Sequence, residues 1–297
     1  MISEDIMIKT KDQIFPYSKG ILTQSLISAG VSNSKAYLIA KAIEKKLHLL
    51  ETHVVESGVI KNIALKALEV ECGKEYAERY NLWRSFVKSN QSLIILIGGA
   101  TGTGKSTLGL ALAHRLGVSH IIGTDTLREV MRKILPRDLF PTIHCSSYLA
   151  GECINGLRLP EKDTTILGFQ EHVKNVSVGI DAVIERSIIE NIKIIIEGIH
   201  ILPKYLKSFS HENVVCFFVA IENEVDHKMR FEARETATKS RYASRYIASF
   251  DAIRKIQEYI LLEAKKVDVP IIEERTIEKG VEQMYLKVID KIKKLLN

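Results

Sequence analysis

The sequence has 297 residues, of which 46% are hydrophobic, so it is long and apolar enough for two domains with packed cores. Its net charge of +6 is modest and suits an anionic small molecule as well as nucleic acid. No apolar run approaches the roughly 20 residues that cross a bilayer, and no signal-peptide core is present near the N-terminus. We therefore expect a cytoplasmic protein that does not enter the membrane.

The first part of the chain, residues 1–90, shows no convincing buried strand run beyond the first dozen residues. Ser18 precedes the apolar residues of a first predicted helix, and a second is predicted from Ala36 to Leu50. A helical apolar stripe runs from Val54 to Leu68, and a last helix is predicted from Tyr76 to Val87. This pattern indicates a small, mostly helical domain.

The second part, residues 91–297, alternates apolar strand patterns with helical patterns. The predicted strands are Leu93–Ile97, His120–Gly123, Lys193–Ile196, Val214–Val219 and Pro270–Ile272. The predicted helices are Lys105–Leu116, Thr126–Ile134, Ile166–Glu190, Glu222–Thr236, Ala243–Lys266 and Ile277–Leu296. Such alternation predicts an α/β domain with a parallel sheet flanked by helices.

A glycine-rich loop follows the first strand of this domain. From Gly99 to Ser106 the spacing is G-x-x-x-x-G-K-S, and the order strand, loop, helix distinguishes it from an ordinary turn. Backbone N–H groups of such a loop surround a phosphate chain, while Lys105 would reach the outer phosphates and Ser106 would bind Mg²⁺. The predicted ATP-binding residues are Gly99, Ala100, Thr101, Gly102, Thr103, Gly104, Lys105, Ser106 and Thr107.

The second strand ends beside a group of charged residues. Asp125 follows this strand and could align or deprotonate an acceptor hydroxyl, although it could also cap the next helix. Arg128 and Arg132 are four residues apart and could hold an anionic acceptor from one helix face. The alternative for these arginines is a solvated face that pairs with Glu129 or Asp125.

The third strand, Lys193–Ile196, is followed by an acidic residue. Glu197 stands where P-loop proteins place a carboxylate that holds Mg²⁺ or its water shell, and Gly198 lets backbone approach the substrate. The alternative for Glu197 is local hydrogen bonding. For His200 we expect a structural role, since a lone histidine beside a strand end seldom contacts substrate.

A basic stretch from Lys228 to Arg245 holds six cations and two carboxylates, after the fourth strand. Arg230, Arg234, Arg241 and Arg245 lie where P-loop kinases carry a lid that closes over the phosphates. A solvated basic helix is the alternative. Nucleic acid is not the expected partner, because the nearby aromatic residues are not spaced as a stacking platform.

The four cysteines show no C-x-x-C spacing, so we expect free thiols. A metal site formed by His144, Cys145 and Cys153 is a minor alternative.

Taken together, these segments resemble the 2-phosphoglycerate kinases of archaea over nearly the whole chain. The resemblance rests on residues 15–22, the glycine-rich loop at 97–107, Thr124 to Arg132, Pro141 to Tyr148, Ile196 to His200, and Arg241 to Tyr246. In that family an ATP-cone-like module precedes a P-loop kinase domain. The resemblance implies ATP- and Mg²⁺-dependent phosphorylation of the 3-hydroxyl of 2-phosphoglycerate to 2,3-bisphosphoglycerate, on the route to cyclic 2,3-diphosphoglycerate.

The resemblance leaves two points open. The hairpin before Pro16 carries Gln13 where glycine is usual, so residues 1–90 are either a regulatory nucleotide site or a structural module that joins copies of the chain into a homo-oligomer. The phosphate loop does not name the acceptor, so a kinase of another small acceptor or of an RNA end stays open, as does an ATP-sensing regulatory protein.

Overall fold

The computed structural model describes residues 6–50, 52–154, 164–238, 242–273 and 276–297, without the side chains of 234–238 and 242–243. The chain divides into two compact units. The first comprises Met1–Asn90, His114–Gly117 and Ile289–Asn297, and the second comprises Gln91–Ala113 and Val118–Val288.

The first unit has a small sheet beside four helices. Its strands are β1 (Met7–Lys9), β2 (Ile14–Pro16) and β3 (Val54–Glu56), in the order β2-β1-β3. Its helices are α1 (Lys19–Ile27), α2 (Asn33–His48), α3 (Ser57–Glu71) and α4 (Lys74–Lys88). β1 pairs antiparallel with β2 and parallel with β3.

Ser18 caps the first helix, since its side chain accepts a hydrogen bond from the N–H of Ile21. The prediction of a helical stripe from Val54 was wrong at its start, because Val54–Glu56 is a strand and α3 begins at Ser57. β2 (Ile14–Pro16) was not predicted either, but all three of its residues are exposed, so it is not a buried strand run. Both strands are three residues long, too short to show an alternating pattern.

The second unit is an α/β domain. Its strands are β4 (Leu93–Gly98), β5 (His120–Gly123), β6 (Lys193–Gly198), β7 (Val214–Val219) and β8 (Ile271–Ile272). Its helices are α5 (Lys105–Leu116), α6 (Thr124–Ile134), α7 (Thr165–Ile189), α8 (Glu224–Thr238), α9 (Tyr242–Ala248), α10 (Phe250–Lys266) and α11 (Ile277–Leu296), of which α5 and α11 end in the first unit.

The sheet of this domain is parallel throughout and has the order β5-β6-β4-β7-β8, which confirms the predicted fold class. β4 lies in the middle, and the side chains from Leu93 to Ile97 are 0% exposed. A strand covered on both faces is apolar at every position, which is why its sequence is a continuous run. Because β4 and β6 pair in register from Leu93 to Gly98, the phosphate loop and Glu197 emerge at the same edge.

Two features of this domain differ from the prediction. The helix predicted from Ala243 to Lys266 is two helices, α9 and α10, with Ser249 between them. Four short 3-10 turns were not predicted: Pro141–His144, Ser147–Cys153, Pro203–Tyr205 and Lys207–Ser210. Turns of three to seven residues carry no periodic signal.

None of the helices in the described ranges is long and apolar enough to span a bilayer.

Candidate active site

The phosphate loop lies between β4 and α5, and its glycines are required by close packing. Gly102 has φ +85°, and a Cβ there would lie 2.5 Å from the Phe231 ring. No other residue combines this backbone conformation with so small a volume. The loop is braced internally as well, because the buried Thr103 hydroxyl donates to the carbonyl oxygen of Ala100 at 3.0 Å.

Lys105 and Ser106 open α5, as the motif predicts. The Lys105 ammonium is buried and donates to the carbonyl oxygen of Ala100 at 2.7 Å. A phosphate chain in the loop would offer this ammonium a charged acceptor in place of a neutral carbonyl, which is the stronger hydrogen bond.

Ser106 and Glu197 meet across β4 and β6. The Ser106 hydroxyl donates to Oε1 of Glu197 at 2.9 Å. Mg²⁺ prefers oxygen ligands and commonly takes one or two from the protein and the rest from phosphates and water, so this pair fits an ion that arrives with a nucleotide. In the described part of the chain, no three His, Cys, Asp or Glu side chains gather to hold a metal on their own.

Asp125 lies in the first turn of α6, because this helix begins two residues earlier than predicted. The helix begins at Thr124 with Gly123 as its N-cap residue, so Asp125 is not the cap. Its side chain is 76% exposed toward the cavity described below, and its Oδ1 lies 3.6 Å from Nε of Arg128. A carboxylate in this position is available to an acceptor hydroxyl.

The two arginines of α6 have different surroundings. Arg128 is 15% exposed, lines the cavity, and donates to the carbonyl oxygens of Ile143 and Cys145 at 3.3 and 2.8 Å. Arg132 donates to the carboxylate of Glu129 at 2.7 Å and is not among the described residues that line the cavity. The structure therefore brings Arg128 to the site and leaves Arg132 outside it.

Helix α8 contacts the phosphate loop directly. Nε2 of His227 lies 2.8 Å from the carbonyl oxygen of Thr101, and Arg230 donates to the carbonyl oxygen of Thr103 at 2.9 Å. Burial lowers the pKa of His227, and the cations Arg254, Arg230 and Lys105 lower it further. The ring is therefore neutral at pH 7 and donates through Nε2 to the loop.

The remaining arginines of the basic stretch are only partly described. Arg245 lies on α9 and lines the cavity with its neighbour Tyr246. Arg241 lies outside the described residues, and so does the side chain of Arg234. Of the four predicted lid arginines, Arg230 thus contacts the phosphate loop, and Arg245 lines the same cavity.

These residues surround one cavity of about 830 Å³ in the second unit. Its lining includes the loop from Thr101 to Leu108, Asp125 and Arg128, Glu197 and Gly198, and Arg230 and Arg245. The phosphate loop and the start of α6 therefore line the same cavity.

Cys145 and Cys153 form a disulfide, with Cα atoms 6.8 Å apart. The expectation of four free thiols was therefore wrong for these two, and so was the alternative of a metal site that includes them. The two cysteines are eight residues apart, with the 3-10 turn Ser147–Cys153 leading up to the second, and this spacing is not diagnostic of a disulfide. Cys72 and Cys216 are free.

Three buried polar residues near the cavity were not predicted to have a role: Thr124, His172 and His227. His172 occupies a core position of α7, between Phe169 and Val176 in the buried stripe. A polar residue within such a stripe is the sequence signal that could have identified it. His200 is fully buried against His172, so it has the expected structural environment.

The central parallel sheet, the phosphate loop on its middle strand and the Ser106–Glu197 pair define a P-loop kinase, a class of phosphotransferases. Comparison with known proteins identifies the family. A 2-phosphoglycerate kinase of Methanopyrus kandleri is 39% identical over 97% of this chain and 88% of its own length. A 2-phosphoglycerate kinase of Pyrococcus furiosus is 41% identical over 93% of this chain and 90% of its own length. A third, of Methanocaldococcus jannaschii, is 38% identical over 99% of this chain and 94% of its own length. The chain belongs to the 2-phosphoglycerate kinase family.

No protein-family model matches the chain. A solved structure of shikimate kinase from Bacteroides thetaiotaomicron aligns with 66% of this chain and 98% of its own, at 18% identity and a TM-score of 0.32.

Proposed function

We propose that this protein transfers the γ-phosphoryl group of ATP to the 3-hydroxyl of 2-phosphoglycerate and forms 2,3-bisphosphoglycerate, the precursor of cyclic 2,3-diphosphoglycerate. The observation that carries the proposal is the single cavity that joins the phosphate loop to Asp125 and Arg128. The names of relatives that are 35–41% identical over nearly the full chain support the choice of acceptor.

The donor half consists of the phosphate loop and the cations around it. ATP would place its β- and γ-phosphates over the N–H groups of the loop and the N-terminus of α5. Lys105 would leave the carbonyl of Ala100 for the phosphates, and Arg230 and Arg245 would offset the charge of the group in transfer.

The acceptor half consists of the first turn of α6. 2-Phosphoglycerate carries a phosphate and a carboxylate, and Arg128, a partly buried cation, lines the cavity beside Asp125. Asp125 would accept the proton of the 3-hydroxyl. The hydroxyl oxygen would then bond to the γ-phosphorus while the bond from that phosphorus to the oxygen of ADP breaks.

A divalent cation fits this arrangement. Mg²⁺ bound with ATP would neutralise charge that develops on the phosphate oxygens. Ser106 and Glu197 would hold it, because they supply adjacent oxygen donors between the phosphate loop and β6. Catalysis by the chain itself is mainly alignment and electrostatic stabilisation.

We propose a regulatory or assembly role for the first unit. A nucleotide site in residues 1–90 and a homo-oligomer formed through them are separate proposals, and so is a cytoplasmic location. Equilibrium dialysis with ATP, using Lys105→Ala to weaken the site in the second unit, would reveal a second nucleotide site. Sedimentation would give the oligomeric state.

A coupled assay of ADP release tests the function. We expect turnover with 2-phosphoglycerate, much less with 3-phosphoglycerate or glycerate, and formation of 2,3-bisphosphoglycerate by phosphorus NMR. Lys105→Ala should abolish turnover and keep the fold, and near-normal activity in this variant would contradict the mechanism. Turnover with a nucleoside or an RNA end instead would identify a different kinase, and ATP binding without turnover would favour a sensor.

A further inference from the structure

A buried chain of hydrogen bonds runs beside the acceptor half of the cavity. Oγ1 of Thr124 lies 2.7 Å from Nδ1 of His200, and Nε2 of His200 lies 2.8 Å from Nε2 of His172. Nδ1 of His172 lies 2.9 Å from the carbonyl oxygen of Thr142. The side chains of Thr124, His172 and His200 are 0% exposed, so water does not compete for these bonds.

The donor and acceptor of each hydrogen bond follow from the last bond of this series, in which His172 meets the carbonyl oxygen of Thr142. A carbonyl oxygen only accepts, so Nδ1 of His172 carries a proton and donates to Thr142. Burial lowers the pKa of both imidazoles, that of His200 to about 3, so each neutral ring carries one proton. Nε2 of His172 therefore accepts from Nε2 of His200, and Nδ1 of His200 accepts from the Thr124 hydroxyl.

The series of hydrogen bonds ends at Thr142, close in sequence to the two carbonyl groups that accept hydrogen bonds from Arg128. Thr142 is followed by Ile143 and Cys145, whose carbonyl oxygens accept hydrogen bonds from Arg128. Thr124 and Arg128 lie one turn apart on α6. Together with the backbone from Thr142 to Cys145, these hydrogen bonds form a closed circuit, which leaves α6 at Thr124 and returns to it at Arg128.

The same circuit fixes α6 against the end of β6. A Cβ on Gly198 would lie 1.7 Å from Oγ1 of Thr124, so only glycine permits this approach. Glu197 directly precedes Gly198, and His200 lies two residues after it. The circuit therefore sets the distance between the turn that carries Asp125 and the strand that carries Glu197.

We propose that His172 and His200 are positioning residues, which hold the first turn of α6 so that Asp125 and Arg128 meet the acceptor in line with the phosphate loop. Neither histidine is among the residues that line the cavity, so they act through Thr124 and through the segment that follows Thr142. This inference rests on the proposed function. Where reacting groups must be aligned, a shift of about 1 Å costs about 100-fold in rate.

Two variants interrupt the circuit. Thr124→Val removes the hydroxyl with little change in volume, and the smaller His172→Asn keeps a donor near Thr142 but does not reach His200. We expect kcat/KM for 2-phosphoglycerate to fall about 10- to 100-fold in both, with the KM for ATP within about twofold of wild type. Thr124→Ser restores the hydroxyl and should recover most of the activity.

A matched control separates alignment from loss of stability. The buried carboxylate of Asp181, also on α7, accepts the N–H groups of Lys207 and Ser208 at 3.0 and 3.1 Å. Asp181→Asn weakens a comparable buried contact outside the circuit and should leave kcat/KM for the acceptor near wild type.

The imidazole tautomers give a readout that needs no substrate. Long-range ¹H–¹⁵N spectra at pH 7 should show His172 protonated at Nδ1 and His200 at Nε2. The opposite tautomer at either ring overturns the inference. A wild-type kcat/KM in Thr124→Val also overturns it. The same holds if kcat/KM falls equally for ATP and for 2-phosphoglycerate, or if Thr124→Ser does not recover the activity. Absence of wild-type turnover would instead contradict the proposed function and, with it, this inference.

Discussion

The hydroxyl of Ser106 and the carboxylate of Glu197 are hydrogen bonded at 2.9 Å, although 91 positions separate them in the chain. β4 and β6 bring them together, because the two strands pair in parallel and in register and end side by side. The side-chain oxygen atoms of a serine at the start of α5 and of an acid at the end of β6 thereby lie next to each other.

Glu197→Gln should keep this hydrogen bond and the fold but lose the charge. Because an amide oxygen binds Mg²⁺ more weakly than a carboxylate, we expect kcat to fall by about 100-fold and half-maximal rate to require more Mg²⁺. Initial rates across a Mg²⁺ titration would measure both effects. Glu190→Gln, on the surface beside Arg186, is the control and should follow the wild-type titration. An unchanged Mg²⁺ dependence in Glu197→Gln would remove Glu197 from the metal site.

Gly102→Ala tests the packing of the phosphate loop. A methyl group would meet the Phe231 ring at 2.5 Å and would stand on backbone with φ +85°, so the loop must move. We expect ATP affinity, measured by calorimetry, to fall at least about tenfold because the N–H groups lose their common direction. Gly58→Ala is the matched control, since a Cβ at Gly58 has nothing within 4 Å and Ala favours the helix. Wild-type ATP affinity in Gly102→Ala would contradict the close packing of Phe231.

Arg230→Ala tests the contact between α8 and the loop. This change removes the hydrogen bond to the carbonyl oxygen of Thr103 and a positive charge beside the phosphates, so kcat should fall by about 100-fold. Lys228→Ala removes an exposed cation two residues away, over the ring of Phe250, and should change kcat less than about twofold. Steady-state kinetics with saturating ATP would compare them. Equal losses in both variants would favour a general effect of net charge over a specific contact.

The sequence was sufficient for the parts of this site that depend on local order. Leu93–Ile97 is apolar at every position because both faces of β4 are covered, and the glycine-rich loop directly follows it. The parallel sheet and the edge that carries Asp125 and Glu197 follow from the alternation of strands and helices.

The partners of individual side chains were not predictable, since they come from distant segments. Arg128 has the spacing of a substrate ligand, yet it donates to the carbonyl oxygens of Ile143, on an unpredicted turn, and Cys145, which directly follows that turn. His227 looks like one polar residue of a charged helix, and only the fold shows that it donates to Thr101. Residues with no motif and no periodicity become interpretable only when their neighbours are known.

The bridge between Cys145 and Cys153 leaves two cysteines able to react with a thiol reagent. Protein that is purified without reductant and then denatured should react with two equivalents of a thiol reagent, from Cys72 and Cys216. After reduction the count should rise to four, and peptide mass spectrometry should identify the bridge between Cys145 and Cys153. Four reactive thiols before reduction would contradict the bridge.

Acid should destabilise the protein through its buried histidines. The pKa of His200 is about 3 in the folded state because burial, Arg128 and Lys105 all disfavour the imidazolium, whereas in the unfolded chain it is about 6.5. Above pH 6.5 both states are neutral at His200, and stability does not depend on this group. As the pH falls below 6.5 only the unfolded state takes up the proton, so the free energy of unfolding decreases until about pH 3.

Between pH 7.5 and 5.5 this decrease should be on the order of 1 kcal/mol from His200, and His172 acts in the same direction because burial also lowers its pKa. His200→Asn cannot titrate, so it should be less stable at pH 7.5 but should lose less on acidification. Urea unfolding of both proteins at the two pH values would give the four free energies required. If the variant loses as much stability as the wild type, folding does not lower the pKa of His200, which contradicts its burial without charge between Thr124 and His172.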